Sequence, residues 1–332
     1  MNAKVSYLSP ASQQPVLDDI LSTTRVFLLE WQQGNLKPLP TLYESIERHA
    51  KFLDSITKRM ATQALRMEAE LHASGLEDIV DALEDIGEDP ELLFIAQETI
   101  NKVLSNLTIQ ISGVKNASTE LSALSAPNAS RDEARLFRQQ MELETTSVAL
   151  KAEIDAESSK IEALHTALKA LEAIDIEVKF DGLIPTPEQL AALAVPGGQI
   201  ALLSEAAAQA LKNLEKTLGQ LSADLNYSRL QAERRQLTLG LRTLQRDLAA
   251  NSRTLATCRQ QLKALENVPR LVAQRKACLI ALNALSMALG SFYNLLKNAK
   301  YKGIEDLRAI DAFLKTLLAY QRSMIKQISN AF

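Results

Sequence analysis

Between Leu143 and Leu171 the chain reads LETTSVALKAEIDAESSKIEALHTALKAL. Leu143, Leu150, Ile154, Ile161, Leu164, Leu168 and Leu171 recur there on one row of alternating three- and four-residue steps, with Ser147 and Glu157 filling two places in it. That row is the seam of a coiled coil, and it predicts one helix from Arg131 to about Ala173. A second row begins with Leu211, Leu214, Leu218, Leu221 and Leu225. It slips phase near Asn226 and continues through Leu237, Leu241, Leu244, Leu248, Leu255, Leu262 and Leu265. Read as one helix, this second seam covers about 55 residues, or ~80 Å. Two such helices joined by a compact connector fold back as an antiparallel hairpin. The expected register sets Leu171 against Leu211, Leu164 against Leu218 and Ile161 against Leu221, with the apex near Ala191.

Composition agrees with helices of this length. The 332 residues include 11 Gly and 10 Pro, about 6% together against roughly 12% in an average chain. A β-sandwich, barrel or doubly wound α/β fold needs turn residues far more often. Disorder is excluded by a 46% hydrophobic content at helical spacing and a mixed charge of 23%. The expected class is all-α, an elongated helical bundle with a long antiparallel coiled-coil hairpin and a small hydrophobic tip.

The flanking sequence supplies the bundle. Val16 to Gln33 reads as a first helix ended by Gly34. Thr41 and Glu44 form a capping box for a second, whose stripe of Ile46, Leu53, Ile56, Met60, Met67 and Leu71 runs to Gly75. Leu76 to Glu91 is an acidic connector with no basic residue, read as solvated helix and turn. Asp89 and Pro90 open a third helix as N-cap and first residue, and Pro127 ends it. Ser130 with Glu133 caps the heptad helix, Pro269 opens a sixth helix, and a seventh runs from about Ile304 to the C-terminus. The expected division is 1–130 with 226–332 as bundle and stalk base, 131–173 with 199–268 as coiled-coil stalk, and 174–198 as tip.

Charge is segregated along the chain. Residues 231 to 332 carry 17 Lys/Arg against 6 Asp/Glu, and residues 1 to 230 carry 20 against 34. A basic end can meet nucleic acid or anionic lipid, but the upstream carboxylates offer an internal partner, and that is the plainer reading. The basic residues are dispersed among leucines without interleaved aromatics, so no nucleic-acid partner is expected. Cys258 and Cys278 read as packed thiols rather than a disulfide or zinc site. His49, His72 and His165 stand on separate helices. Phosphate-loop, dinucleotide, nucleophile-elbow and zincin motifs are absent, so neither an enzyme nor a cofactor is expected. The N-terminal sequence has no Sec-type signal peptide, so any export uses another route.

Two segments are apolar enough to meet a membrane. The first is the connector IDIEVKFDGLIPTPEQLAALAVPGGQIALLSEAAAQAL, Ile174 to Leu211. Ile174, Ile176, Val178 and Phe180 alternate with charged residues like a strand or extended loop. Thr186, Pro187 and Gln189 then cap a short apolar helix to Val195, and between Glu188 and Lys212 the one charge is Glu205. A helix-to-helix turn needs only a few polar residues, so this connector asks for a lipid phase or packs on itself as a cap. The inserting residues it offers are Phe180, Leu183, Ile184, Leu190, Leu193, Val195, Ile200, Leu202 and Leu203. Pro196, Gly197 and Gly198 serve as hinge. The second segment, Ala277 to Leu296, is uncharged and long enough to span a bilayer. Asn283, Ser286, Gly290 and Asn294 form a small polar stripe along it, which favours a central bundle helix surrounded by neighbours.

The heptad rows of 131–173 and 211–265, together with the KFDGLIPTPEQLAALAVPGGQIALL apex, resemble the α-helical pore-forming toxins of the cytolysin A type, and more narrowly the B-type component of the binary alpha-xenorhabdolysin family. The resemblance covers most of the chain. It implies a secreted, soluble rod that joins an A-type component in heterodimers, assembles into a ring and perforates host-cell membrane lipid with its hydrophobic tip. Asp175, Glu177, Asp181 and Glu188 depart from a purely apolar tip, and a face lining a water-filled lumen accommodates them. A non-enzymatic coiled-coil scaffold is the other reading of the same seams.

Overall fold

In a computed structural model, the described residues are 15–87, 89–175, 181, 183–192, 199–219, 226–299 and 303–332. They form ten helices: α1 (Asp18–Gln33), α2 (Pro40–His72), α3 (Leu76–Ile86), α4 (Pro90–Ala123), α5 (Ser130–Glu172), α6 (Pro187–Ala192), α7 (Gln199–Leu218), α8 (Tyr227–Leu265), α9 (Val268–Asn298) and α10 (Ile304–Ala331). Among the described residues there is no strand beyond an isolated antiparallel bridge, Leu183 with Asn226. The all-α class is therefore as the sequence implies. The chain divides into two compact units, Met1–Glu133 with Gln261–Phe332, and Ala134–Gln260. The divisions fall within α5 and α8.

The first unit is a bundle in which α1 packs on α2 and α9, α4 on α9 and α2, and α10 on α2 and α3. The stripe read along α2 faces inward, with Ile46, Leu53, Ile56, Met60 and Met67 buried. Pro40 starts that helix one residue before the expected capping box, because its fixed φ suits the first helical position. Thr41 consequently lies inside the helix and no side chain caps its end. Asp89 does cap α4, its Oδ1 accepting from the Glu91 N–H at 2.9 Å. At α5 the cap is Asn128, whose Oδ1 accepts from the Ser130 N–H at 2.9 Å.

The acidic connector is largely the helix α3, bounded by left-handed Gly75 at φ 58°, where a side chain would be strained. Its carboxylates meet the basic C-terminal helix. Arg308 pairs with Glu84, Lys315 with Glu77 at 2.9 Å, and Arg322 with Glu68 of α2 at 2.9 Å. The internal pairing read from charge segregation is present.

Helix α9 packs by one side, burying Leu271, Cys278, Leu282, Leu285, Leu289, Phe292 and Leu296, while Ile280 and Met287 stay exposed. Of the expected polar stripe, Ser286 is buried and Asn283 accepts from Ser118 Oγ of α4 at 2.9 Å. Helix α9 is thus a bundle helix as expected, but with Asn294, Ile280 and Met287 exposed it is not surrounded on all sides. Buried Arg275 donates from Nη2 to the carbonyls of Leu121 at 2.6 Å and Leu124 at 2.7 Å, satisfying acceptors left open at the end of α4. Gln110 and Gln321 exchange two hydrogen bonds of 3.0 Å in the core between α4 and α10.

The second unit corrects one hairpin expectation and keeps part of another. The seam from Leu211 to Leu265 is not one helix: α7 stops at Leu218, Gly219 takes φ 89°, and α8 starts afresh at Tyr227. The phase slip at Asn226 marks this restart. The long antiparallel partner of α5 is α8, with Asn251 at Leu143 and Tyr227 at Glu172. Leu211, Leu214 and Leu218 share one cluster with Leu164, Leu168 and Leu171 as the expected register implies, while Leu221 and Leu225 lie outside the described residues. The Asn251 amide donates to the Leu143 carbonyl at 2.8 Å, Cys258 Sγ–H to the Leu136 carbonyl at 3.3 Å, and the Tyr227 hydroxyl to the Glu172 carboxylate. Helix α7 instead packs into a cluster at the α5 C-terminal end, where Leu211 and Leu171 share one core.

Candidate functional site

The candidate site is the tip end of the second unit. Its core is built from Leu164, Leu168 and Leu171 of α5, Leu190 of α6, Ala207, Leu211 and Leu214 of α7, and Tyr227 and Leu230 of α8. Heptad leucines of α5 thus serve two partners, α8 along the hairpin and α7 at its end. The small residues Ala207, Ala208 and Ala210 let α7 seat closely.

Thr186 and Gln189 form a reciprocal cap on α6. The Thr186 N–H donates to Gln189 Oε1 at 2.9 Å, and the Gln189 N–H donates to Thr186 Oγ1 at 3.2 Å, the expected start of that short helix. Asn226 fixes the other strand of the connector. Its backbone bridges to Leu183, and its Oδ1 accepts from the Arg229 N–H at 2.9 Å and Ser228 Oγ at 2.8 Å. Tyr227 follows at once, its ring in the core and its hydroxyl on Glu172. These three residues clasp the tip to the root of the hairpin.

The expected inserting residues do not share one environment. Leu190 is fully buried, and Ile184 is half-buried against the same cluster. Leu183, Leu202 and Leu203 are exposed, at 60%, 71% and 40%. On α7 the exposed leucine pair sits on the first turns, beside inward-facing Ser204 and Ala207. Phe180, Leu193 and Val195, and the hinge Pro196, Gly197 and Gly198, lie outside the described residues. So does the side chain of Ile200, and so do Ile176 and Val178 of the alternating run. Hydrophobic patterning does not single out Tyr227, Glu172 or Asn226. The only signal they offer in the sequence is the phase slip beside Asn226.

The described residues hold no cluster of His, Cys, Asp and Glu able to bind a metal. His49 is buried, stacked on Phe27 with ring centroids 5.2 Å apart, and its Nδ1 lies 2.7 Å from the Ser45 carbonyl. Burial pushes its pKa down, as it pushes the Cys278 thiol up to about 12. Both are packing groups in a dry core rather than reactive ones.

No protein-family profile matches the chain, and no curated protein is significantly similar to it in sequence. Solved structures are similar in fold over nearly the whole length. XaxB from Xenorhabdus nematophila superposes with a TM-score of 0.78 at 16% identity, covering 95% of this chain and 98% of that one. PaxB from Photorhabdus luminescens gives 0.69 at 15% identity, covering 95% and 97%. A chain of the XaxAB pore complex from Xenorhabdus nematophila gives 0.50 at 15% identity, covering 95% and 98%. The chain has the α-helical fold of XaxB and PaxB.

Proposed function

We propose that this chain is the B-type component of a binary α-helical pore-forming toxin. In this reading it is a soluble, non-enzymatic component that joins an A-type partner, assembles into a ring and perforates host-cell membranes through the tip. Secretion without a Sec signal peptide and action at the target-cell membrane belong to the same proposal. The observation that carries it is the similarity to XaxB over 95% of the chain, coupled with an exposed leucine set on the tip: Leu183, Leu202 and Leu203. Each leucine moved from water into lipid contributes roughly 1.5 to 3 kcal/mol. The tip core around Leu190 and Leu211 stands in the way, so a membrane or partner has to stabilise the rearranged state more than the closed one.

The test is dye release from liposomes by this chain with its A-type partner. The exposed set is the one to change, because Leu190→Asp would bury a charge in the tip core and confound insertion with unfolding. Leu183→Asp, Leu202→Asp and Leu203→Asp together should abolish release while helicity and thermal unfolding stay unchanged. Undiminished release by that folded triple variant would overturn the tip assignment. Absence of any membrane association by the unmodified pair would favour the coiled-coil scaffold.

A further inference from the structure

Helix α10 sets its cations on carboxylates of α2 and α3, and elsewhere the chain pairs its bases within a helix. Lys51 meets Glu47 at 2.7 Å, Lys58 meets Asp54 at 2.7 Å and Lys160 meets Glu157 at 2.8 Å, each three or four residues apart. One row on α8 departs from this. Arg235, Arg242, Arg246 and Arg253 are all exposed, and at ~100° per residue they fall within about 40° of one another. The row lies on the side away from the seam of Leu237, Leu241, Leu244 and Leu248. Three and four residues from each of the four stand only Gln, Ala, Thr, Leu or another arginine of the row. Among the described residues none of the four has a carboxylate partner.

The whole of α8 carries seven arginines and one lysine against two acids, Glu233 and Asp247. Both acids lie about 120° or more from the centre of the row, whereas Arg234 and Lys263 follow on one flank. From Arg235 to Arg253 the row runs ~27 Å along the helix. Its surface between the arginines is small or polar, with Thr243, Ala249 and Ala250 exposed, and Leu239 is the one large apolar group on it. A guanidinium fork binds two oxygens of a sulfate or phosphate at once, which a lysine does not. The back of α8 is therefore a narrow, straight anion site without competing carboxylates.

We propose that this row binds a sulfated polysaccharide laid along the back of α8. Its shape selects among polyanions. A single nucleic-acid strand needs aromatic platforms for its bases, and the one aromatic residue of α8, Tyr227, is buried. A bilayer needs an apolar face beside the charges, and that face of α8 is turned to α5. Duplex DNA is broad enough to reach α5 as well, where nine acids stand against six bases. A thin chain with anionic groups on successive sugars meets the arginines alone. The net charge of the chain is −3, so attraction to a polyanion has to come from a local row of this kind. Binding is a property of the chain by itself and stands whether or not it perforates membranes. Where the toxin reading holds, sulfated chains on a host-cell surface would gather the protein beside its target membrane.

Retention of the full chain on immobilised heparin, followed by titration with free heparin over a range of salt, tests it. The unmodified chain should be retained at about physiological ionic strength. Arg242→Ala with Arg246→Ala should weaken binding about tenfold and lower the slope of log K against log salt by about two, one for each guanidinium. Arg242→Lys with Arg246→Lys should keep that slope and lose about threefold in affinity, since a point charge replaces each fork. Arg66→Ala with Lys115→Ala removes the same charge from exposed sites of the bundle and should change neither, with helicity constant in every variant. Heparin stripped of its sulfates should bind about tenfold more weakly. Passage of the unmodified chain through the column would overturn the proposal, as would equal weakening by the bundle pair. Tighter binding to duplex DNA or to phosphatidylserine vesicles than to heparin would overturn the polysaccharide assignment.

Discussion

Helix α2 of the bundle and helix α5 of the hairpin are written in the same alphabet of leucines three and four apart, yet they end in different environments. Of the 33 residues of α2, eleven are buried. Of the 43 residues of α5, five are, and none lies between Phe137 and Ala163. The cause is the number of neighbours. Helix α2 contacts α1, α4 and α10, so its stripe is enclosed. Over most of its length α5 has α8 alone, and a two-helix seam leaves each leucine half in water. The bundle is complete as a single chain, whereas the hairpin leaves faces for something else to cover.

The sharpest way to break that contrast is to truncate one side chain in each region. Phe313 is buried against Phe292 with ring centroids 5.7 Å apart, and Phe313→Ala should cost about 3 to 5 kcal/mol. Leu150→Ala, on the half-buried seam, should cost about 1 kcal/mol. Urea unfolding of the full chain measures both, and equal losses would mean that the hairpin is as tightly packed as the bundle.

A second test concerns specificity within the bundle core. Gln321→Leu strands the buried Gln110 amide and should cost about 1 to 3 kcal/mol, while the double change Gln110→Leu with Gln321→Leu should recover much of that loss. Additive losses in the double-mutant cycle would show that the two amides do not depend on each other.

The smallest expected effect is a pH dependence confined to the bundle. Burial lowers the His49 pKa below its ordinary 6.5, so the unfolded chain takes up this proton at a higher pH than the folded one. Stability from this group is full above about pH 6.5 and declines as pH falls from there through the folded pKa. Buried Glu30, whose pKa is raised by desolvation, carries the opposite sign, its contribution being lost as pH rises. The readout is therefore the difference between wild type and His49→Gln. That difference should shrink as pH falls from 8 to 5, and a pH-independent difference would place the His49 imidazole in water.

Much of the fold is legible in the sequence because periodicity reports which face of a helix is apolar. It identifies the α2 stripe, the Asp89 cap and the Thr186–Gln189 cap, and charge segregation anticipates the carboxylate partners of Arg308 and Lys315. Periodicity does not report which helix lies opposite. Leu211 continues a heptad row as well as Leu237 does, so pattern alone reads 211 to 265 as one helix against α5, whereas α7 ends at Leu218 and α8 starts afresh with the Tyr227 hydroxyl on Glu172. The tip is legible as an apolar connector, but hydrophobicity alone cannot separate buried Leu190 from exposed Leu202. That difference depends on where α7 lands, which short-range sequence does not encode.

The salt bridges that tie α10 to α2 and α3 set an order on synthesis. A ribosome delivers the residues from 134 to 260, the whole second unit, before Arg308, Lys315 and Arg322 exist. The hairpin and tip can close while the first four helices wait for their last partner. By then residues 231 to 303, with 13 bases against 3 acids, have offset most of the excess of 34 acids over 20 bases in residues 1 to 230. What the 28-residue helix α10 adds is the placement of its pairing cations rather than bulk charge, so losing a short C-terminal stretch should leave the tip intact and the bundle open.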